Sequence, residues 1–220
     1  MLKDIKAVIF DLDGTLVDSM WVWDQIDEDY LSKKNIAVPK NLNSEIAHLS
    51  FNQVAKYFKK RFNLEDSLDD IKNSWNTMAY YHYSTDIKLK NGVREFLDFL
   101  KSLNIKIALA TSNSMNLLEA ALKNNGIYEY FDSITLTDEV SVGKHEPDVY
   151  LLAAKKLGVE PKNCLVFEDI IQAVIGAKKA GMKVIAVEDT RSLSDKDKLL
   201  EASDEFITDF SELLNKNFAS

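Results

Sequence analysis

Four short polar clusters in this 220-residue chain each follow an apolar run. Asp11-Leu12-Asp13-Gly14-Thr15 follows the run AVIF (7–10), and Thr111, Ser112 and Asn113 follow IALA (107–110). Gly143 and Lys144 lie on the loop after SITL (133–136), and Glu168 and Asp169 follow CLVF (164–167). If the runs are parallel strands, ligands bind beyond their carboxyl ends, so all four clusters share one edge. That edge would hold four carboxylates, one lysine and several hydroxyls. Four ionised acids in one cleft repel each other. A divalent cation relieves the repulsion, and oxygen ligands with little histidine suit Mg²⁺, which binds one or two carboxylates together with substrate phosphate. The lysine, hydroxyls and backbone N–H groups then favour a phosphoryl group. Asp11 and Asp13 are two apart; if the chain stays extended there, both point the same way, and Gly14 and Thr15 then let it turn. One can be a nucleophile and the other a proton donor, because neighbouring environments push carboxyl pKa values apart. Any one such cluster is ordinarily a helix cap or turn former; four at successive strand ends carry the reading.

The positioning elements follow from periodicity. Apolar runs at 7–10, 105–110, 164–167 and 183–187 read as buried strands, with weaker candidates at 133–136 and 205–207. Between them lie helical patterns at 92–103, 114–125, 147–157, 170–180, 194–202 and 209–216; Val93, Phe96, Leu97, Leu100 and Leu103 show the 3.6 spacing. This alternation predicts an α/β fold: a Rossmann-like, doubly wound, mostly parallel sheet with helices on both faces. Residues 18–87 interrupt it with four expected helices, near 19–34, 42–48, 51–62 and 67–83. The expected organisation is a core of 1–17 and 88–220 with an inserted helical cap of 18–87.

Composition closes other routes. Average usage of about 7% would give roughly fifteen glycines; the chain has seven. Their spacing contains neither a GxGxxG fingerprint nor a Walker loop. Cys164, the one cysteine, sits in an apolar run and reads as a small buried hydrophobe. Three histidines leave little room for a multi-histidine metal site. A net charge of −8 disfavours nucleic acid and anionic membrane as partners. No run approaches a membrane span and AVIF is too short for a secretory segment, so the cytoplasm is the expected compartment, and an acidic chain without heptads is most simply a monomer.

The strings FDLDGTLVDS (10–19), ATSN (110–113), GKHEPDVY (143–150) and VFEDIIQAVIGAKKAGM (166–182) resemble the four ordered motifs of the haloacid dehalogenase superfamily. The nearest part of it is the subfamily of β-phosphoglucomutase and sugar-phosphate phosphatases. The resemblance implies a Mg²⁺-dependent phosphatase acting on a small phosphorylated metabolite through an aspartyl-phosphate. It makes Asp11 the nucleophile and a metal ligand, and Asp13 the general acid/base, with its backbone carbonyl also on the metal. Thr111 and Ser112 would bind the transferring phosphoryl, with Asn113 beside them. Lys144 would orient the nucleophile. Asp169 would be the second carboxylate ligand, and Glu168 a ligand or a partner behind the ligands. Departures touch the substrate side. Ile170 and Ala173 stand where Ser and Gly are usual, and His145 stands in place of proline, read as a rim residue. Trp23 and Phe51 fall where the mutase has a histidine and an arginine, which lowers a mutase-type isomerase below a phosphatase. A non-enzymatic phospho-acceptor or metabolite-binding protein is the remaining alternative, opposed by the intact Asp13. Trp21 and Trp23 read as core of the helical bundle, with a place facing the cleft as the alternative, and His48 is a candidate substrate contact.

Overall fold

The computed structural model describes residue 2 and residues 4–46 and 51–215. In chain order the elements are β1 (Ala7–Phe10), β2 (Val17–Asp18), α1 (Trp21–Ser32), α2 (Leu42–Ile46), α3 (Phe51–Arg61), α4 (Leu68–Thr85) and β3 (Lys88–Leu89). Then come α5 (Val93–Ser102), β4 (Lys106–Thr111), α6 (Met115–Asn124), β5 (Ser133–Leu136), α7 (Asp148–Leu157) and β6 (Cys164–Glu168). The chain continues through α8 (Ile171–Lys179), β7 (Lys183–Val187), α9 (Lys196–Ala202), β8 (Glu205–Ile207) and α10 (Ser211–Asn215). The expected helix at 42–48 is described as far as Ile46; the candidate His48 lies outside the described residues.

Six strands form one parallel sheet in the order β5-β4-β1-β6-β7-β8. The winding reverses at β1: the chain steps from β1 to β4 and β5 on one side, then returns to β6 on the other. Such a reversal opens a crevice at the strands' carboxyl ends. Asp11, Thr111 and Glu168 end or follow the three strands that flank it.

Both sheet faces are covered, which explains why the strands read as continuous apolar runs. Val8, Phe10, Ile107, Leu109, Leu165 and Phe167 point into one apolar layer, and Ala7, Ile9, Ala108, Ala110 and Val166 into the other. On the first face Phe10 stacks on Phe167 at 5.0 Å between centroids, with Phe96 and Phe210 against both. Each such fully buried ring contributes roughly 1.5–3 kcal/mol by leaving water. Cys164 is buried in the second layer, and burial pushes its thiol up to about 11.

The helices α1–α4 are reached through a neck the sequence does not announce. Strands β2 and β3 pair antiparallel, Val17 opposite Leu89 and Asp18 opposite Lys88. Two residues are too few to show the alternation by which strands are read. On α4, Ile71, Trp75, Ala79 and Tyr83 form a buried stripe at four-residue intervals. Its start is fixed by a reciprocal cap: Ser67 Oγ accepts from Asp70 N–H at 3.1 Å, and Asp70 Oδ2 accepts from Ser67 N–H at 3.2 Å. Arg191, after β7, reaches α1, with Nη2 2.5 Å from Asp24 Oδ1 and donating to Met20 O at 3.1 Å. Among the described residues no helix is long and apolar enough to cross a membrane.

Candidate active site

Asp11 continues the ladder one step past β1, its N–H donating to Phe167 O at 3.0 Å. Leu12 then turns into the core, fully buried. Leu16 and Val17 N–H groups both donate to Leu12 O, at 2.9 and 3.0 Å, so the chain doubles back at once. Gly14 makes this turn possible. It sits at φ +82°, and an added Cβ would lie 2.5 Å from Asp169 Oδ2. The close approach brings Asp169 under the loop, where its Oδ1 accepts from Thr15 Oγ1 at 3.0 Å.

Lys144 Nζ donates to Asp11 Oδ1 in a short contact and to Glu168 Oε1 at 2.6 Å. Tyr150 OH donates to the same Glu168 oxygen at 2.8 Å. Glu168 therefore anchors the lysine, and the lysine holds Asp11. The segment carrying Lys144 lies directly on α8, where Gly176 permits it: a Cβ there would fall 1.9 Å from Lys144 O. Gly176→Ala gains about 1 kcal/mol of helix propensity, but an overlap with backbone at that distance forces the segment away. A displacement of about 1 Å costs on the order of 100-fold in rate. The expected result is a folded protein with kcat lowered by that order and a lower thermal midpoint, read by steady-state kinetics and thermal melting.

The electrostatics are those of a crowded acidic cleft. Burial raises Asp11 well above the usual carboxylate range, against the Lys144 ammonium, and the charges of Glu168, Asp169 and Asp13 add to the rise. Asp169 is pushed up to about 7, by burial first and then by Glu168. For Lys144, burial opposes the charge, but the carboxylates of Asp11 and Glu168 outweigh it and hold its pKa above the ordinary value. One carboxylate oxygen each from Asp11, Glu168 and Asp169 come within 4.8 Å of one another. This buried, all-oxygen donor set fits a hard divalent cation such as Mg²⁺. Asp11 and Asp169 are the better-placed ligands, because Glu168 already spends Oε1 on two donors.

Asp13 has different company. Its Oδ1 accepts from Ser19 Oγ at 2.6 Å and Tyr83 OH at 2.5 Å, and its Oδ2 from Asn113 Nδ2 at 2.7 Å. Asn113 is itself fixed, its N–H donating to Thr111 Oγ1 at 3.0 Å and its Oδ1 accepting from Ser114 N–H at 2.7 Å. Burial and the neighbouring Asp13 charge push the Tyr83 hydroxyl well above its usual pKa, so it remains a donor. The two aspartates thus sit in one cleft with separate partners: a cation on Asp11, neutral donors on Asp13.

Asp11, Asp13, Thr111, Ser112, Asn113, Lys144 and Glu168 line one cavity of about 550 Å³, and Asp169 is buried beneath it. His145, read as a rim residue, is exposed and is not among the residues that line the cavity. Trp23 fits both readings: half-buried, it packs on the core and also lines the cavity. Trp21 departs from the reading as bundle core: it is exposed and stays at the neck, its Nε1 donating to Asp18 O at 3.0 Å. Asn113, expected to touch substrate, bonds the acid Asp13. The sequence gives Thr15 only a place in the turn, and gives no individual role to Tyr83, Ser19, Tyr150 or Gly176. An isolated glycine inside a helix does signal close packing, so Gly176 was findable. The hydroxyls carried no such mark.

Residues 5–181 match the family model described as haloacid dehalogenase-like hydrolase. The chain belongs to that family. It is 32% identical over 211 residues to the phosphorylated carbohydrates phosphatase of Thermotoga maritima, spanning 96% of this chain and 97% of that protein. It is 28% identical over 188 residues to hexitol phosphatase B of Escherichia coli (strain K12), 84% of each. A crystal structure from Thermotoga maritima, provisionally assigned as a beta-phosphoglucomutase, matches with TM-score 0.86 at 31% identity, covering 96% of this chain and 97% of that one. For this haloacid dehalogenase-like hydrolase the six-stranded parallel sheet is therefore the family core.

Proposed function

We propose that this hydrolase is a Mg²⁺-dependent phosphatase that releases phosphate from a small phosphorylated metabolite through an aspartyl-phosphate on Asp11. The carrying observation is the contrast just described: Asp11 on the ammonium of Lys144, Asp13 on neutral donors, both lining one cavity. A carboxylate attacks a phosphate dianion only where cations offset the repulsion. Asp11 attacks phosphorus, while Thr111 Oγ1 and the Ser112 backbone N–H hold the equatorial oxygens. Asp13 protonates the departing oxygen, then takes a proton from the water that cleaves the acyl-phosphate. Mg²⁺, held by Asp11, Asp169, the Asp13 carbonyl and Glu168, would supply charge neutralisation when bound.

Residues 1–17 and 88–220 are read as the catalytic core and 18–87 as its cap, which closes over substrate to limit water. The chain is read as a cytoplasmic monomer with no nucleic-acid or membrane partner; the net charge of −8 favours a soluble chain and disfavours polyanionic partners. Relatives with phosphatase names support phosphate release. So do Trp23 and Phe51, which line the cavity and can neither relay a proton nor grip a second phosphate as an isomerase requires. The test is phosphate release from p-nitrophenyl phosphate: turnover with Mg²⁺, loss with EDTA, and recovery on adding Mg²⁺ back. No turnover across a broad panel of phosphomonoesters, with Mg²⁺ still bound, would overturn the proposal.

Tyr83→Phe bears on the acid/base role. It removes one of three donors to Asp13 and leaves the ring that packs α4. Its expected effect is about a tenfold loss of kcat on an alkyl phosphate, whose leaving oxygen needs a proton. The loss should be smaller on p-nitrophenyl phosphate, whose leaving group departs unprotonated. Equal losses on the two substrates would count against Tyr83 acting through Asp13.

A further inference from the structure

Helix α4 starts on its own reciprocal cap, whereas α1 starts at Met20 with no side-chain cap. Its first turn is gripped from outside. Arg191, on the loop after β7, donates through Nη2 to Met20 O at 3.1 Å, and the same nitrogen lies 2.5 Å from Asp24 Oδ1. The loop that carries Arg191 is itself pinned. Asp189 Oδ1 accepts from Arg191 N–H, and Asp189 Oδ2 from Lys90 Nζ, both at 3.0 Å. The Lys90–Asp189 pair is buried, its side chains 12% and 3% exposed. Lys90 also donates through Nζ to Glu188 O at 2.7 Å and through its N–H to Leu16 O at 2.9 Å. Hydrogen bonds therefore run from the turn after Asp13, through Lys90 and Asp189, to Arg191 and the start of α1.

The acids of α1 decide which way the grip acts. Asp24 and Asp27 are three apart and share a helix face. Asp27 is only 9% exposed. Burial and the Asp24 charge raise its pKa to about 7, and Arg191 is the cation that works against them. One guanidinium thus serves two carboxylates. Without it, the acids recover hydration only if the first turns of α1 move toward water. Met20 and Trp23, which line the catalytic cavity, would move with them. Resting on the phosphatase reading, we propose that Arg191 is a positioning residue: it holds the first turn of α1 so that Met20 and Trp23 form a preassembled part of the cavity wall. When the competent wall is populated only part of the time, apparent affinity for substrate falls by that fraction.

Arg191 and Asp24 are 40% and 46% exposed, so substitutions there leave the fold intact. The test uses the full-length enzyme with Mg²⁺ and p-nitrophenyl phosphate. Arg191→Ala should raise KM by about five- to tenfold and change kcat by less than about threefold. Arg191→Asp sets a third carboxylate beside Asp24 and Asp27 and should raise KM further. Adding Asp24→Arg to it reverses the bridge, and should return KM to within about threefold of wild type. A role in packing alone would not be restored by exchanging the charges. Hydrogen exchange without substrate gives a readout independent of turnover: in Arg191→Ala the peptide spanning residues 19–26 should lose protection while the peptides of β1 and β6 keep theirs. An unchanged KM in Arg191→Ala overturns the inference. So does unchanged protection of that peptide, or a double variant no better than Arg191→Asp alone. No turnover of any phosphomonoester by wild type would instead overturn the phosphatase reading, and the exchange pattern would still decide whether Arg191 holds α1.

Discussion

Asp11→Asn is expected to abolish phosphate release, by at least about 10⁴-fold, while leaving the protein no less stable. The first half follows from chemistry: an amide oxygen is no substitute for a carboxylate nucleophile, and Thr111, Lys144 and the bound cation have nothing to direct at phosphorus. The second half follows from the cleft. Folding raises the Asp11 pKa through burial and the charges of Glu168, Asp169 and Asp13. An acid raised in this way costs stability once pH exceeds its unfolded value, near 4, because the folded state must then hold a charge it disfavours. Asparagine removes that charge and keeps an oxygen to accept from Lys144, which Glu168 still anchors. With the metal chelated, the thermal midpoint at neutral pH should be equal to or above that of wild type. A variant both inactive and unstable would mean that Asp11 serves the fold instead of the reaction.

Lys144→Ala should be almost as damaging to activity and clearly damaging to the fold. The ammonium, with its side chain 12% exposed, contacts carboxylates of Asp11 and Glu168 that are 9% and 1% exposed. Removing one partner of a buried pair costs about 3–5 kcal/mol, and here two acids are orphaned together. Part of the cost is relieved because the acids can take up protons, so a loss of about 2–3 kcal/mol is expected by urea titration. Protonation is also what harms catalysis: a neutral Asp11 does not attack. Together with the lost transition-state charge, the expected drop in kcat is about 10³-fold. A lysine that merely filled space would be replaced by methionine with little effect on rate. Lys144→Met should instead match the alanine variant in activity and exceed it in stability.

Much of the core was legible because its signals are local. Buried parallel strands are runs of Ile, Val and Ala, and the polar residue after each run must emerge at the crevice edge, so Asp11, Thr111, Glu168 and Asp169 could be placed together from the sequence. The neck β2–β3 could not, since Val17 and Asp18 carry too short a pattern. Tyr83 shows a different limit. Its four-residue spacing from Ala79, Trp75 and Ile71 announces burial, but nothing in a periodicity says that its hydroxyl meets an aspartate 70 positions earlier. Trp23 lies one position off the buried stripe of α1 (Val22, Ile26, Tyr30), at its border, where a side chain can serve both the bundle and the cavity. The contact of Trp23 with Phe51 exists only once α1 and α3 are brought together.

The central claim is that Asp11 carries the phosphoryl group. Enzyme turning over a phosphomonoester with Mg²⁺ can be quenched in acid within milliseconds, reduced with borohydride, and digested for peptide mass spectrometry. An aspartyl-phosphate is reduced to homoserine, so the peptide spanning the Asp11-Leu12-Asp13 segment should carry homoserine at position 11 and unchanged aspartate at 13. Trapping at another residue, or turnover with no trapped residue under conditions that accumulate the intermediate, would contradict the account.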